Sequence, residues 1–225
     1  MVKTVATRAT RFLILLPLVL IACAKSDPIL EGDRVPIFRS DALTIDPNAP
    51  KDFGKLIDPE KCDFTIDANN QIWRGAGETK RRVFAGFPTE SHIESNRRPA
   101  CGGKFVYAGL STGELVKVNA LTRNVEWTAD IFADNAPTTA SAFLDLTATP
   151  VYFGGHIYAG GLGGAFCKVR DKDGSKAWCV PILATDIICA TDKFIIVETP
   201  GKTLAVSLDG KAFETKEGEI PCPKK

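Results

Sequence analysis

The chain contains seven cysteines, and a thiol can be acylated, oxidised to a disulfide or used as a metal ligand. The first of them, Cys23, ends the tetrapeptide LIAC at residues 20–23. This tetrapeptide has the form of a lipobox, at which a bacterial signal peptide is cleaved and the cysteine is lipidated. The sequence therefore predicts lipidation of Cys23. The alternative is an ordinary secretory signal that ends at a cysteine by chance.

The residues before Cys23 favour the lipidated form. A basic segment ends at Arg11, and an uncharged apolar run follows over residues 12–22. A membrane-spanning helix needs about 20 apolar residues, whereas a shorter run is typical of the core of a signal peptide. We therefore expect residues 1–22 to be a signal peptide and the acyl chains to anchor the mature protein. Because Ala24 rather than Asp follows the cysteine, lipoprotein sorting rules imply the periplasmic face of the outer membrane.

Six further cysteines remain in the predicted mature chain: Cys62, Cys101, Cys167, Cys179, Cys189 and Cys222. An even number in an oxidising periplasm predicts up to three disulfides, although the sequence does not choose among the connectivities. Cys167 and Cys179 flank a turn at Asp173, so a hairpin would place them opposite each other. We also expect a Cys62–Cys222 bond, because a bond between the two ends of a domain is entropically favourable. Buried free thiols are the alternative for all six.

An internal repeat predicts the elements that carry these cysteines. Residues 109–127 and 160–178 align without gaps, and a shorter third copy covers residues 197–213. A degraded fourth copy is expected within residues 62–99. Each of the first three copies consists of a strand, a glycine turn, a second strand, a polar turn and a third strand that ends in an aromatic residue.

A unit of this kind cannot bury both of its faces alone, so copies must stack. The predicted fold is all-β, a β-propeller or partial propeller of about four blades over residues 62–225. Residues 23–61 are rich in proline and aspartate and are predicted to be a tether between the lipid and the folded body. The hydrophobic content of 44% is ordinary for a globular protein.

The composition excludes several classes of function. Without residues 1–22 the formal net charge is −2, so nothing indicates a nucleic-acid partner. The two histidines, His92 and His156, are far apart and have no neighbouring ligand pattern, so no metal site is predicted. The glycines at 160–164 precede no helix, and there is no G-x-S-x-G elbow or plausible catalytic triad. We therefore expect no catalytic residue and no cofactor.

The stretch VNALTRNVEW at residues 118–127 resembles the PQQ-type propeller repeat, with Asn119 in place of Asp and Arg123 in place of Gly. A lipobox followed by such repeats is similar to the BamB family of lipoproteins in the outer-membrane β-barrel assembly machinery. The similarity is strongest over residues 144–210. That family forms an eight-bladed ring of nearly twice this length, whereas this chain supplies about four blades.

The resemblance implies a non-enzymatic scaffold that binds a BamA-like protein. The family presents an acidic segment of type D-x-D-T-T-P, which corresponds here to residues 145–150 (DLTATP), with Asp145 retained and Thr147 at the second acidic position. A second contact loop, apolar residues followed by arginine, would fall around residues 93–98. The residues predicted to contact the partner are Leu144, Asp145, Leu146, Arg97 and Arg98.

Other interpretations remain open at this point. Asp145 is equally compatible with a turn that caps a strand, and the arginines with a solvated charged loop. The protein as a whole could be a stand-alone envelope binding module with no role in the assembly machinery. The half-size chain could form a small closed ring, an open arc, or one half of an eight-bladed homodimer.

Overall fold

The computed structural model describes residues 43–89, 93–131, 144–216 and 219–223. The predicted signal peptide, Cys23 and the first part of the predicted tether lie outside these ranges. The described residues form β-strands, with one short 3-10 turn at Gly77–Thr79. Within the described ranges, no helix has the length and apolar character needed to cross a membrane.

The strands are arranged in four sheets, which we number as blades 1 to 4 in chain order. Blade 1 contains β2 (Phe64–Ile66), β3 (Gln71–Arg74) and β4 (Arg81–Ala85). Blade 2 contains β5 (Ala100–Gly102), β6 (Phe105–Gly109), β7 (Glu114–Asn119) and β8 (Val125–Asp130). Blade 3 contains β9 (Val151–Phe153), β10 (His156–Gly160), β11 (Phe166–Arg170) and β12 (Lys176–Val180). Blade 4 contains β13 (Asp186–Ala190), β14 (Phe194–Thr199), β15 (Lys202–Ser207) and β16 (Ala212–Thr215). A strand of two residues, β1 (Ile45–Asp46), precedes them.

Within each blade the neighbouring strands are antiparallel and follow one another along the chain. The first strands of blades 2 and 3, β5 and β9, contact each other, so the first strands line the inside of an arc. The middle strands are buried on both faces, as β7 shows, because a blade packs on either side of them. The outer strand β8 is largely exposed. The predicted partial propeller of four blades is confirmed.

The apolar core lies between successive blades rather than inside any one of them. One cluster of buried side chains joins blade 1 to blade 2, a second joins blade 2 to blade 3, and a third joins blade 3 to blade 4. The third includes Tyr158 and Phe166 from blade 3 and Ile195 and Leu204 from blade 4. Because each cluster needs two sheets, a single blade could not bury its apolar residues alone.

The degraded fourth copy of the repeat is blade 1. Blades 2, 3 and 4 each begin their third strand after a glycine with a positive φ, namely Gly113, Gly164 and Gly201. In blade 1 the corresponding residue is Asn70, with φ of 58°, which asparagine tolerates better than most side chains. The equivalence makes β2, β3 and β4 the second, third and fourth strands of a standard blade.

Three disulfides are present among the described residues. Cys167 and Cys179 pair across β11 and β12, in the register that the hairpin predicts. The expected Cys62–Cys222 bond is wrong. Cys62 instead joins Cys101, which links blade 1 to the first strand of blade 2, and Cys222 joins Cys189 on blade 4. The two ends of the domain lie on different blades of an arc, so they are each tied to the nearest strand rather than to each other.

Residues 43–61, which the sequence predicts to be part of a tether, are instead bonded to the folded body. β1 pairs in parallel with β16, the outermost strand of blade 4. Leu56 forms a bridge with Thr191, and the amide of Ile57 donates to the carbonyl of Ala190 at 2.9 Å. This segment therefore belongs to the folded body, and its low periodicity reflects irregular packing along the side of a sheet.

Candidate partner-binding face

The connections between blades all run at one end of the arc. Blades 2, 3 and 4 each begin and end at this end because their four strands alternate in direction, and the three-stranded blade 1 ends there. We call this surface the loop face and define it as the connections at residues 86–89, 93–99, 144–150 and 181–185, together with the turns before the third strands. It contains all five residues predicted to contact a partner.

The structure brings two of these residues together. The guanidinium Nη1 of Arg97 lies 3.6 Å from Oδ1 of Asp145, with the two side chains 7% and 1% exposed. The backbone amide of Ile93 also donates to Oδ1 of Asp145, at 3.2 Å. Burial lowers the pKa of the Arg97 guanidinium, and the charge of Asp145 opposes that shift. The carboxylate therefore faces a cation inside the protein and not solvent.

A buried asparagine extends this polar cluster. Asn70, which is fully buried, donates from its side-chain amide to the carbonyl of Phe87 at 2.7 Å and to the hydroxyl of Ser111 at 2.8 Å. Its carbonyl oxygen accepts from the amide of Ser111 at 2.9 Å and from Arg97 at 3.3 Å. Blade 1, blade 2 and the connection between them thus meet at one side chain.

The segment at residues 144–149 is held between blades 2 and 3. The amide of Leu146, whose side chain is fully buried, donates to the carbonyl of Leu110 at 3.1 Å. The carbonyl of Asp145 accepts from the amide of Leu162 at 2.9 Å. Gly161 allows this close approach, because a Cβ atom there would lie 2.1 Å from the carbonyl oxygen of Asp145.

The remaining predicted residues lie nearer the surface. Leu144 is half-buried and Arg98 is exposed; the backbone amide of Arg98 donates to the hydroxyl of Thr149 at 3.1 Å. Thr147, at the second acidic position of the family segment, is buried and its hydroxyl donates to the carbonyl of Ala184 at 3.1 Å. Of the five residues, Arg98 is thus the side chain that a partner could reach directly.

Other exposed residues accompany Arg98 in the same connection. Phe87 is 82% exposed, and Ile93 is 37% exposed. Hollows of about 440 and 390 Å³ lie on either side of the segment at residues 93–97. Glu94 lines both hollows. We call Phe87, Ile93, Glu94 and Arg98 the exposed patch.

Among the described residues, no group of three His, Cys, Asp or Glu side chains is placed to hold a metal ion. Asn70, Ser111 and Phe87 were not identified from the sequence. The signal that could have found Asn70 is its position, since it occupies the place of a conserved turn glycine in the three other copies of the repeat.

An arc of stacked sheets of three to five strands with PQQ-type repeats, braced through its inter-blade connections, defines a partial β-propeller. Residues 24–214 match the family model described as "Outer membrane protein assembly factor BamB". The chain belongs to this family.

Two relatives and one solved structure illustrate the similarity. The chain is 24% identical over 115 residues to outer membrane protein assembly factor BamB of Kangiella koreensis, which covers 50% of this chain and 30% of that protein. It is 31% identical over 109 residues to the Alteromonas naphthalenivorans protein of the same name, covering 48% and 24%. The matched part therefore spans less than a third of either relative. The crystal structure of BamB from Moraxella catarrhalis aligns with a TM-score of 0.56 at 15% identity, over 68% of this chain and 48% of that one, which shows a shared fold.

Proposed function

We propose that this protein is a lipid-anchored scaffold of the outer-membrane β-barrel assembly machinery. Acyl chains on Cys23 would hold it at the periplasmic face of the outer membrane, and the loop face would bind a BamA-like protein. Membership of the family carries the proposal, because the relatives that match are named for outer membrane protein assembly. The proposed action is binding alone, with no chemical step.

The exposed patch is the part of the loop face that we propose contacts the partner. Arginine, as at Arg98, is one of the residue types that most often contribute large binding energies at interfaces, and aromatic side chains such as that of Phe87 are enriched in interface cores. Arg97, Asp145 and Leu146 are buried, so they act as the support that fixes the connection beneath the patch. A rigid support lowers the conformational entropy that the loop loses on binding.

The test is a crosslinked affinity pulldown of the lipidated protein from native outer membranes, read by mass spectrometry. We expect recovery of the BamA protein, and a roughly tenfold or greater loss with Arg98→Glu or Phe87→Ser, since one anchor residue contributes more than about 1.4 kcal/mol.

The matched control is Arg123→Glu. Arg123 is also an exposed arginine, but it lies in the turn between β7 and β8 at the opposite end of blade 2. The Arg123→Glu variant should recover as much BamA as the wild type does. Equal loss in both arginine variants would contradict a contact at the exposed patch.

A stand-alone envelope binding module is the second candidate. The observation that favours it is the burial of Asp145 and Thr147, which leaves the loop face without the family's acidic side chains at the surface. Under this alternative the wild-type pulldown would contain no BamA although the protein remains in the membrane fraction. A different protein would then be crosslinked through the exposed patch.

A further inference from the structure

Blade 2 holds blade 3 through three side-chain donors on its forward face, the face that packs against the next blade along the chain. Lys117 Nζ and Trp127 Nε1 both donate to the backbone carbonyl of Asp171, each at 2.9 Å. The hydroxyl of Tyr107 donates to the carboxylate of the same residue at 2.6 Å. Asp171 lies in the turn between β11 and β12 of blade 3, so a tyrosine, a lysine and a tryptophan clasp the next blade.

Blade 3 repeats the arrangement toward blade 4. Lys168 Nζ and Trp178 Nε1 both donate to the carbonyl of Leu208, each at 3.1 Å. Leu208 lies in the turn between β15 and β16. Tyr158 is paired with Lys168 in the strand register, as Tyr107 is with Lys117. The clasp is therefore common to the joints that blades 2 and 3 make with the next blade, whereas blade 1 has Phe64 and Arg74 at the corresponding positions and packs on blade 2 through apolar contacts.

Blade 4 lacks this clasp. In its strand register Ile196 pairs with Ala205, and Ala205 pairs with Phe213. In blades 2 and 3 the corresponding positions are occupied, in the same order, by the tyrosine, the lysine and the tryptophan. None of these three side chains can donate a hydrogen bond. The forward face of blade 4 thus offers no donor to a following blade at the positions where the preceding blades use theirs.

This forward face is nevertheless buried. Ile196 and Ala205 have no exposed surface. On the same face, Phe53 packs edge-on against Phe194 with ring centroids 6.0 Å apart, and Phe194 packs against Phe213 at 5.8 Å. The chain before blade 1 therefore reaches over the last blade.

A second segment of the chain lies on the same side. Cys189, which is opposite Ile196 in the register, forms a disulfide with Cys222. The bond fixes the tail at the inner edge of this face, while Phe53 covers its other part.

The rear face of blade 1, where a preceding blade would pack, is closed in a different way. In blade 2, Ala108 and Val116 lie on the rear face and pack against blade 1. The corresponding residues in the strand register of blade 1 are Thr65 and Trp73. Thr65 is exposed. Trp73 Nε1 donates to Asp67 at 2.8 Å, and the ammonium of Lys80 lies 4.7 Å from the centroid of the indole. This face is polar and its tryptophan is already bonded within its own blade.

We propose that the described blades form an arc capped at both ends by the chain's own residues. Residues 43–57 and the tail at Cys222 cap blade 4, and a polar face ends blade 1. A second copy of the chain therefore does not stack on either end of this arc. This differs from the ring-closing homodimer that the half-size chain suggests, because terminal units with finished outer faces remain stable without a neighbour.

The first test measures the mass of the full chain in detergent by sedimentation equilibrium at matched solvent density. We expect one chain per particle across a wide range of protein concentration. A dimer that is converted to a monomer by Ala205→Glu or by Trp73→Ala would overturn the proposal.

The second test removes the cap. Cys189→Ser with Cys222→Ser and Phe53→Ala should expose the apolar face of blade 4, and we expect a severalfold rise in binding of an apolar dye together with concentration-dependent self-association. The control is Cys62→Ser with Cys101→Ser, which opens a loop of similar size, with a sequence separation of 39 against 33. The control should remain monomeric. A cap variant that folds and behaves like this control would contradict the proposal, and if the cap variant does not fold, the first test still decides.

Discussion

The guanidinium of Arg97 and the carboxylate of Asp145 form a buried pair that joins the connection before blade 2 to the connection before blade 3. Both groups are removed from solvent, and the amide of Ile93 bonds the same carboxylate oxygen. The distance between the two connections is therefore fixed by the fold itself, before any partner binds. This makes the pair a support of the exposed patch rather than a part of it.

We expect Asp145→Ala to lower the free energy of unfolding by about 3–5 kcal/mol, because it leaves a buried guanidinium without its counter-charge. Combining it with Arg97→Met should cost less than the sum of the two single changes, since no unpaired charge then remains. Urea denaturation of the three variants measures this coupling. Arg98→Ala, at the exposed neighbour, is the control and should change stability by about 0.5 kcal/mol or less. If Arg97→Met alone lowered the free energy of unfolding no more than Arg98→Ala does, the result would argue against a buried pair.

Gly161→Ala is expected to destabilise the protein by about 1–3 kcal/mol. The new Cβ would lie 2.1 Å from the carbonyl oxygen of Asp145 and 2.6 Å from the Cα atom of Leu146, so backbone must move. Thermal unfolding followed by circular dichroism measures the effect. Gly154→Asn is the control, since a Cβ there meets nothing within 4 Å and asparagine tolerates the positive φ of 58°. A larger loss in the control would refute the steric explanation.

Arg123→Gly should stabilise the fold. Arg123 has φ of 64° in the turn where blades 3 and 4 place Gly174 and Gly210, both also at positive φ. A left-handed conformation costs a residue with a Cβ about 1 kcal/mol relative to glycine, and the greater entropy of glycine in the unfolded chain removes part of that gain. The expected net change is a rise of a few tenths of a kcal/mol in urea denaturation. Leu121→Gly, at an exposed residue of the same turn, should lower stability instead.

Alkaline pH should destabilise the fold through two buried tyrosines. Burial raises the pKa of Tyr158 to about 12. Burial, and then the hydrogen bond to Asp171, raise the pKa of Tyr107 as well. Unfolded tyrosine ionises near pH 10, so this stabilisation is complete below about pH 10 and is lost as the pH rises toward about 12.

Urea denaturation across this range, with tyrosinate absorbance as a second measurement, checks the prediction. Tyr158→Phe should make the decline shallower. A free energy of unfolding that stays constant from pH 10 to about pH 12 would show that these hydroxyls are not shielded from solvent.

Lipidation of Cys23 is predicted by the sequence alone. Cys23→Ser should abolish incorporation of radiolabelled palmitate and leave residues 1–22 attached, because the lipobox cysteine is both the proposed site of acylation and the proposed point of cleavage. Cys62→Ser is the control, since that cysteine lies in the folded body and should leave the label in place. Palmitate labelling of the Cys23 variant equal to that of the wild type would contradict lipidation at this residue.

The parts of the fold that depend on local patterns could be predicted from the sequence. The repeat with its turn glycines predicts the blades, and the turn at Asp173 predicts the opposition of Cys167 and Cys179. The Cys62–Cys101 and Cys189–Cys222 bonds could not be predicted, because they depend on how an arc places its ends. The packing of residues 43–57 on blade 4 was missed for the same reason, since irregular segments carry no periodic signal.

The position of the two connections on the loop face could be predicted from the sequence, but the burial of their charged residues could not. The resemblance to the family located both connections, and the structure brings Arg97 and Asp145 together there. Their burial could not be read from the sequence, because an acidic and a basic residue in loops are usually solvated. Exposed Phe87 was missed, since a single phenylalanine beside a proline fits a loop and a core equally well.

The clasps that blades 2 and 3 make with the next blade share a main-chain acceptor. Lys117 and Trp127 hold the carbonyl of an aspartate, and Lys168 and Trp178 hold that of a leucine, with the same pair of donors. At Asp171 the carboxylate also accepts from Tyr107 and pairs with Lys117, whereas Leu208 offers its carbonyl alone. A carbonyl is present in every residue, so the shared part of the clasp does not depend on which side chain the turn carries. Among relatives, the turn residue at this position should therefore vary more freely than the lysine and the tryptophan that reach it.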